Sequence, residues 1–283
     1  MDLGVSSMIF EYDNLIDYLP IMAKEGIFYV EIRGYPPRID YRNKNYLKRL
    51  KDALMGNNIK VHSYHLPFHP EDGFDISLTD KVKVNCAIDE IKLSLDAMLY
   101  LGGKTAILHP GDMIGSLKAK EERYNRSRES IGRVLEFCGK NSVKLAIENM
   151  LPGKVGERVS DVRNLISCFD SKYIGICFDT SHANITSRDV SSEIRGCSDK
   201  LFTIHVSDNN GKRDQHYLPF SGNINWRSFW KELNNLNYKD TFMLEVTCKG
   251  GPPPPHFNLR EGTSPLLKEA KLRFKKITSL NRN

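Results

Sequence analysis

Short β-rich runs alternate with longer amphipathic stretches from one end of the chain to the other, and this alternation restricts the fold more than any other feature. The runs are LGVSS (3–7), FYVEIRG (28–34), IKVHSYHL (59–66), TAILHPG (105–111), VKLAIENM (143–150), IGICFDTSHA (174–183), LFTIHVSDN (201–209) and TFMLEVT (241–247). Each is a nearly continuous apolar core, as expected of parallel strands buried on both faces. Between them, apolar residues recur at helical steps. Val82, Ala87, Ile91, Leu95, Met98 and Leu99 mark one helix over 79–101, and Ile131, Leu135 and Cys138 another over 120–140. Trp226, Phe229, Trp230 and Leu233 mark a third. Glycine or asparagine closes most helices before the next strand: Gly26, Gly56-Asn57-Asn58, Gly102-Gly103, Gly139 and Asn141.

Eight such units in 283 residues, with no break in composition, predict an α/β fold: a single (β/α)8 barrel domain over residues 1–283. A doubly wound open sheet is the competing arrangement, but no G-x-G-x-x-G follows any strand. KGGPPPPHF (249–257) reads as a stiff polyproline-like loop before a last helix from Ser264 to about Leu280. With 40% hydrophobic and 27% charged residues, the chain is neither disordered nor fibrous. It has no apolar run of about 18 residues that would cross a bilayer, and its first residues lack the basic and apolar regions of an export signal. Cytoplasm is the expected compartment, and the six scattered cysteines are expected to be reduced core thiols. A formal charge of +6 permits a phosphorylated or nucleic-acid partner without requiring one.

The strands end unusually. His65 follows the third, His109 the fourth, Glu148 the fifth, Asp179 the sixth, His205 the seventh and Glu245 the eighth. His182 and the Asp214-Gln215-His216 triplet lie just past strand ends. Singly, each has an ordinary reading: a histidine as a hydrogen-bonding residue, the class in which His62, His69 and His256 are placed, Asp179 as a helix cap, Asp214 as a turn former. Together they converge, because a barrel brings the C-terminal ends of all its strands to one mouth. Imidazoles and carboxylates without cysteine are a usual ligand set for Zn²⁺, Mn²⁺ or Fe²⁺.

The strings HLPF, LHPGD, LAIENM, CFDTSHAN, HVSDNNGKRDQH, SGNINW and MLEV, in that order, resemble the xylose isomerase-like TIM-barrel superfamily from Leu3 to about Val246. That superfamily contains sugar isomerases and epimerases together with the endonuclease IV group of apurinic-site nucleases. In the isomerase branch the resemblance implies one divalent metal (Mn, Zn, Mg or Co) held by Glu148, Asp179, His205 and Glu245. In the nuclease branch it implies up to three Zn, with His65, His109, His182, Asp214 and His216 as further ligands.

Two activities follow from the resemblance. In aldose–ketose isomerisation or epimerisation, a metal-stabilised enediolate forms on a sugar or sugar phosphate. Glu148 and Glu245 move the proton, and His182 bonds a substrate oxygen. Lys212 and Arg213 would hold a phosphate near the usual barrel phosphate site, or are simply a solvated basic turn. In abasic-site cleavage of DNA, three zincs would serve an in-line displacement, with Glu148 bridging two of them. The nine-ligand match favours the nuclease. The wording favours the sugar enzymes, since GKRDQHYLPFSGNINW departs from the S-R-x-D-R-H and G-E-G pattern of endonuclease IV. A purely structural metal-binding barrel would not need nine polar groups at one mouth. The expected partner is a small sugar, with nucleic acid only under the nuclease reading, and a homo-oligomer is left open.

Overall fold

A computed structural model of the chain describes residues 1–10, 14–36, 39–68, 73–248 and 264–280. The proline-rich segment 249–257, His69 and His256 lie outside the described residues. Eight strands are present: β1 (Leu3–Ser6), β2 (Tyr29–Arg33), β3 (Lys60–His65), β4 (Thr105–Leu108), β5 (Lys144–Glu148), β6 (Ile174–Asp179), β7 (Leu201–Val206) and β8 (Phe242–Leu244). All neighbouring pairs are parallel, and β8 returns to β1 through Gly4 opposite Met243 and Val5 opposite Leu244. The result is a closed (β/α)8 TIM barrel in sequence order.

The crossovers carry α1 (Leu15–Lys24), α2 (Lys44–Gly56), α3 (Lys81–Tyr100), α4 (Leu117–Lys140), α5 (Val159–Ile166), α6 (Thr180–Thr186), α7 (Val190–Cys197) and α8 (Trp226–Asn235), and α9 (Ser264–Thr278) follows β8. Side-chain caps set several starts. Asn43 accepts from Tyr46 N, Asp80 from Val82 N and Lys83 N, and Asn225 from Ser228 N. The α3 stripe is shifted from the expected one. Val82 is exposed, and Val84, Ala87, Ile88, Ile91, Leu95 and Met98 are buried. Val82 lies in the exposed first turn, where its N–H donates to the Asp80 cap.

Two apolar layers result. The larger lies between the outer strand faces and the helices and includes Leu50, Ile88, Ile131, Phe229 and Leu266. The smaller consists of Ile107, Ala146 and Cys177. Each stands two residues before His109, Glu148 and Asp179, so by strand alternation it shares their inward face. This cluster plugs the barrel axis beneath the mouth. The cysteine expectation needs correcting: Cys138, Cys177 and Cys197 are buried, Cys86 and Cys168 are exposed and Cys248 is half-buried. No helix among the described residues is long and apolar enough to cross a membrane.

Gly34, directly after β2, ties the barrel to its mouth. Its N–H donates to the His65 carbonyl at 2.8 Å, and its own carbonyl accepts from Ser94 Oγ at 2.8 Å. A Cβ there would sit 1.8 Å from the ring of Tyr64, which is fully buried. Gly34→Ala should therefore destabilise the fold by about 1–3 kcal/mol or more through overpacking. The check is a lowered denaturant midpoint at unchanged slope; an unchanged midpoint would contradict the packing.

Candidate metal centre

Glu148, the last residue of β5, is the hub of the mouth. His205 Nδ1 lies 3.0 Å from its Oε1, while His109 Nε2 and His65 Nε2 approach Oε2 to 3.0 and 3.3 Å. Across the barrel, His205 Nδ1 is also 3.3 Å from Glu245 Oε2 and 4.0 Å from Asp179 Oδ2. Glu148, Asp179, His205 and Glu245 thus form one set with ligand atoms within 4.8 Å of one another, and His65, His109 and Glu148 form a second. His182 Nε2 and His216 Nε2 meet on Asp214 Oδ2, at 3.4 and 2.8 Å. All nine side chains expected at the mouth are therefore brought together. Lys212 and Arg213 are not part of this cluster. Their side chains are exposed, and their backbone N–H groups bond Asn210 Oδ1. Asn210, rather than Asp214, forms that turn.

Local structure explains the aim of each group. Asp179 does cap α6, its Oδ1 accepting from His182 N at 2.7 Å, and this leaves Oδ2 directed at the mouth. Four histidines have one ring nitrogen tied to an outer acceptor and the other left facing carboxylates. His65 Nδ1 is 3.0 Å from the Leu66 carbonyl, His182 Nδ1 is 2.8 Å from that of Asn149, and His216 Nδ1 is 3.0 Å from that of Glu245. His205 Nε2 is instead 2.8 Å from Glu31 Oε2. His216 holds φ at 45°, a left-handed conformation costing on the order of 1 kcal/mol, a cost that the Thr247 N–H bond to its carbonyl and the ring's contacts with the Glu245 carbonyl and Asp214 can sustain. Phe68 packs against His65 and His109, at ring distances of 4.7 and 4.3 Å, and gives the site an apolar wall.

Sequence reasoning missed Glu31, Arg33 and Cys177. Arg33 Nη2 donates to Glu245 Oε1 at 2.9 Å, and Nη1 to the Tyr35 hydroxyl at 3.0 Å. The available signal was the pair of charges two residues apart in VEIRG, which places both on one face of a buried strand. Cys177 lies within ligand distance of Glu148 and His205, but burial pushes its thiol well above the usual range, so it stays a protonated member of the plug.

Buried carboxylates dominate the electrostatics of the mouth. Glu31, Glu148, Asp179 and Glu245 are at most 2% exposed, Asp214 is largely enclosed, and Arg33 is the permanent cation in contact with Glu245. Burial opposes the charged form of every one of these carboxylates. It wins at Asp179, pushed up to about 7 with Glu148, Glu245 and Asp214 adding repulsion. Elsewhere imidazoles prevail: His205 chiefly holds Glu148 well below its ordinary range, His205 and Arg33 hold Glu245 at about 2, and His216 and His182 hold Asp214 low. Burial also works against the charged imidazoles, yet the facing anions raise His205 and His182 well above 6.5 and His216 to about 9. His109, where burial dominates, falls to about 3 and is neutral, as a ligand must be. Asp179 Oδ2 and Asp214 Oδ1 are buried without a hydrogen-bond partner, and Glu148 Oε2 is met only by the imidazole nitrogens of His65 and His109. Such orphaned anionic oxygens fit a divalent cation.

A family model described as the xylose isomerase-like TIM barrel matches residues 19–269. Among curated relatives, "Uncharacterized protein MJ1311" of Methanocaldococcus jannaschii is 24% identical over 252 residues, 87% of this chain and 83% of that protein. "Uncharacterized protein y4fM" of Sinorhizobium fredii is 23% identical over 66% of this chain and 61% of its own length. "Probable endonuclease 4" of Staphylococcus epidermidis is 26% identical over 66% of this chain and 64% of its own. The match thus spans less than two thirds of the last two relatives. Among solved structures, a D-tagatose 3-epimerase-like protein superposes with a TM-score of 0.83 at 20% identity over 99% of both chains. D-psicose 3-epimerase from Clostridium cellulolyticum H10 gives 0.79 at 17%, again over 99% of both. At these identities the likeness is one of fold. Since the family model covers most of its length and the fold is the expected barrel, the chain belongs to the xylose isomerase-like TIM-barrel family.

Proposed function

We propose that this chain is a divalent-metal-dependent isomerase or epimerase of a sugar or sugar phosphate. The observation that carries the reading is the buried set Glu148, Asp179, His205 and Glu245, in which two carboxylates, one ending β5 and one directly after β8, flank one imidazole. The 3-epimerase names of the two structural neighbours support the same class. A cation bound by these four would polarise two adjacent sugar oxygens and make the C–H between them acidic. Arg33 holds Glu245 ionised and oriented, so that it can take a proton from one face of that carbon. Glu148, low in pKa and reached from the other side, can act on the opposite face. His182 Nε2 is free to donate to a substrate hydroxyl if Asp214 releases it. Phe68 excludes water on one side, and the exposed Lys212 and Arg213 would hold a phosphate.

Charge balance supports a sugar over a nucleic acid. Five carboxylates face one guanidinium, so one divalent cation leaves a deficit of two positive charges. Protonated His182 and His216 supply it, and the filled mouth is neutral. Three divalent cations would instead leave a surplus suited to a phosphodiester. That alternative, an endonuclease IV-like abasic-site nuclease, is favoured by one specific observation: the nine side chains fall into three groups, around Glu148 Oε2, His205 Nδ1 and Asp214 Oδ2.

Metal counting separates the readings. One tightly held cation per chain is expected; three zincs per chain together with chelator-sensitive incision of an abasic oligonucleotide would overturn the isomerase. In D₂O, the loaded protein should exchange the C–H beside the carbonyl of a ketose, and Glu148→Gln and Glu245→Gln should each slow exchange by about 10²–10⁴-fold. His109→Ala should cost part of this activity, whereas a nuclease would lose nearly all of its own.

The pH dependence has a definite sign. His216 at about 9, and His182 and His205 well above 6.5, are protonated at neutral pH in the metal-free chain. With one cation His182 and His216 keep their protons and His205 must lose its own to ligate, so cation affinity should rise as the pH increases above 6.5. Calorimetry at pH 7 in buffers of different ionisation enthalpy should register proton release, and none would contradict the cluster. For the metal-free fold, a raised folded pKa at His216 stabilises fully below about 6.5, and that contribution is lost as pH rises through about 9.

A further inference from the structure

We propose that Glu31, which is not one of the nine candidate ligands, is a positioning residue that sets the affinity of the central cation seat by anchoring His205. The inference rests on the metal-binding reading above. Glu31 is fully buried in the middle of β2, and its Oε2 reaches across the barrel axis to His205 Nε2 on β7 at 2.8 Å. The same oxygen accepts from Ser63 Oγ at 2.7 Å, a residue paired with Glu31 in the β2–β3 register, so its position is defined from two sides.

With Nε2–H donated to Glu31, the tautomer of His205 that can coordinate presents its lone pair at Nδ1. That atom is the one facing Glu148, Asp179 and Glu245. The other anchored histidines, His65, His182 and His216, turn on main-chain carbonyls. A carboxylate is a stronger acceptor than a carbonyl, and it makes the imidazole a better donor to a cation. Glu31 therefore makes the four-residue seat tighter than it would be if His205, like the other three, turned on a main-chain carbonyl. Glu31 cannot simply be a fifth ligand of that seat, since its oxygens fall outside the group whose atoms lie within 4.8 Å of one another.

The test is chelator-competition titration of the full chain with Zn²⁺ and Co²⁺, in wild type, Glu31→Gln, Glu31→Ala and Ser63→Ala. Glu31→Gln should weaken the tightest cation by about 10–100-fold, Glu31→Ala should weaken it more, and Ser63→Ala, which keeps the carboxylate but frees it, less. In the Zn²⁺-loaded protein labelled at histidine nitrogen, wild type should show a strongly downfield His205 Nε2 proton that Glu31→Gln moves upfield. If the Glu31 variants do not fold, Ser63→Ala alone decides, by a measurable loss of affinity with the same upfield movement. Variants that bind cations as tightly as wild type, and lose only thermal stability in the metal-free state, would overturn the positioning role and leave the metal reading standing. A wild type that binds no cation would overturn both.

Discussion

Main-chain pairing of β8 with β1 is the constraint on which everything else depends. In an open eight-stranded sheet β2 and β7 would lie about 24 Å apart, five spacings of roughly 4.8 Å. Closure instead brings Glu31 on β2 to 2.8 Å from His205 on β7. It also lets Glu148 at the end of β5 and Glu245 just after β8 share one imidazole. Because every strand is parallel, each contributes the same end to the same rim. The mouth is thus a consequence of topology first and of side-chain chemistry second.

The second constraint is electrical. Burying carboxylates around one guanidinium is tolerable only if other positive charge arrives. In the metal-free chain, protons on His205, His182 and His216 serve, and the raised pKa of Asp179 removes one negative charge near neutrality. A cation in the four-residue set would compete with the proton on His205. The apolar plug of Ile107, Ala146 and Cys177 closes the axis from below and keeps the dielectric low around them.

The strand ends were legible because two strong patterns coincide there: a continuous apolar run and an abrupt ionisable residue. His65, His109, Glu148, Asp179, His205 and Glu245 all sit at such boundaries. Glu31 and Arg33 were hidden by the same logic, since they belong to a strand whose end carries no histidine or carboxylate, and attention to strand ends passes over a charge inside one. The carbonyls that orient His65, His182 and His216 could not have been read at all, because every residue has a carbonyl and only tertiary geometry selects three of them. Val82 misled for a different reason: a first-turn residue fits the helical period without facing the core.

This difference in anchoring separates two kinds of control within one mouth. A histidine turned by a main-chain carbonyl takes its orientation from the backbone, and no side-chain substitution at the acceptor removes that bond. His65, His182 and His216 therefore keep their aim whether they serve as ligands or as donors to substrate hydroxyls. His205 takes its aim from a side chain, so the electron density at its Nδ1 depends on the charge of a single residue, Glu31. The central seat can then be adjusted while the outer imidazoles stay in place. Under the two readings, one cation with outer histidines facing a sugar or three cations facing a phosphate would each use this mouth without any change in the strands that hold it.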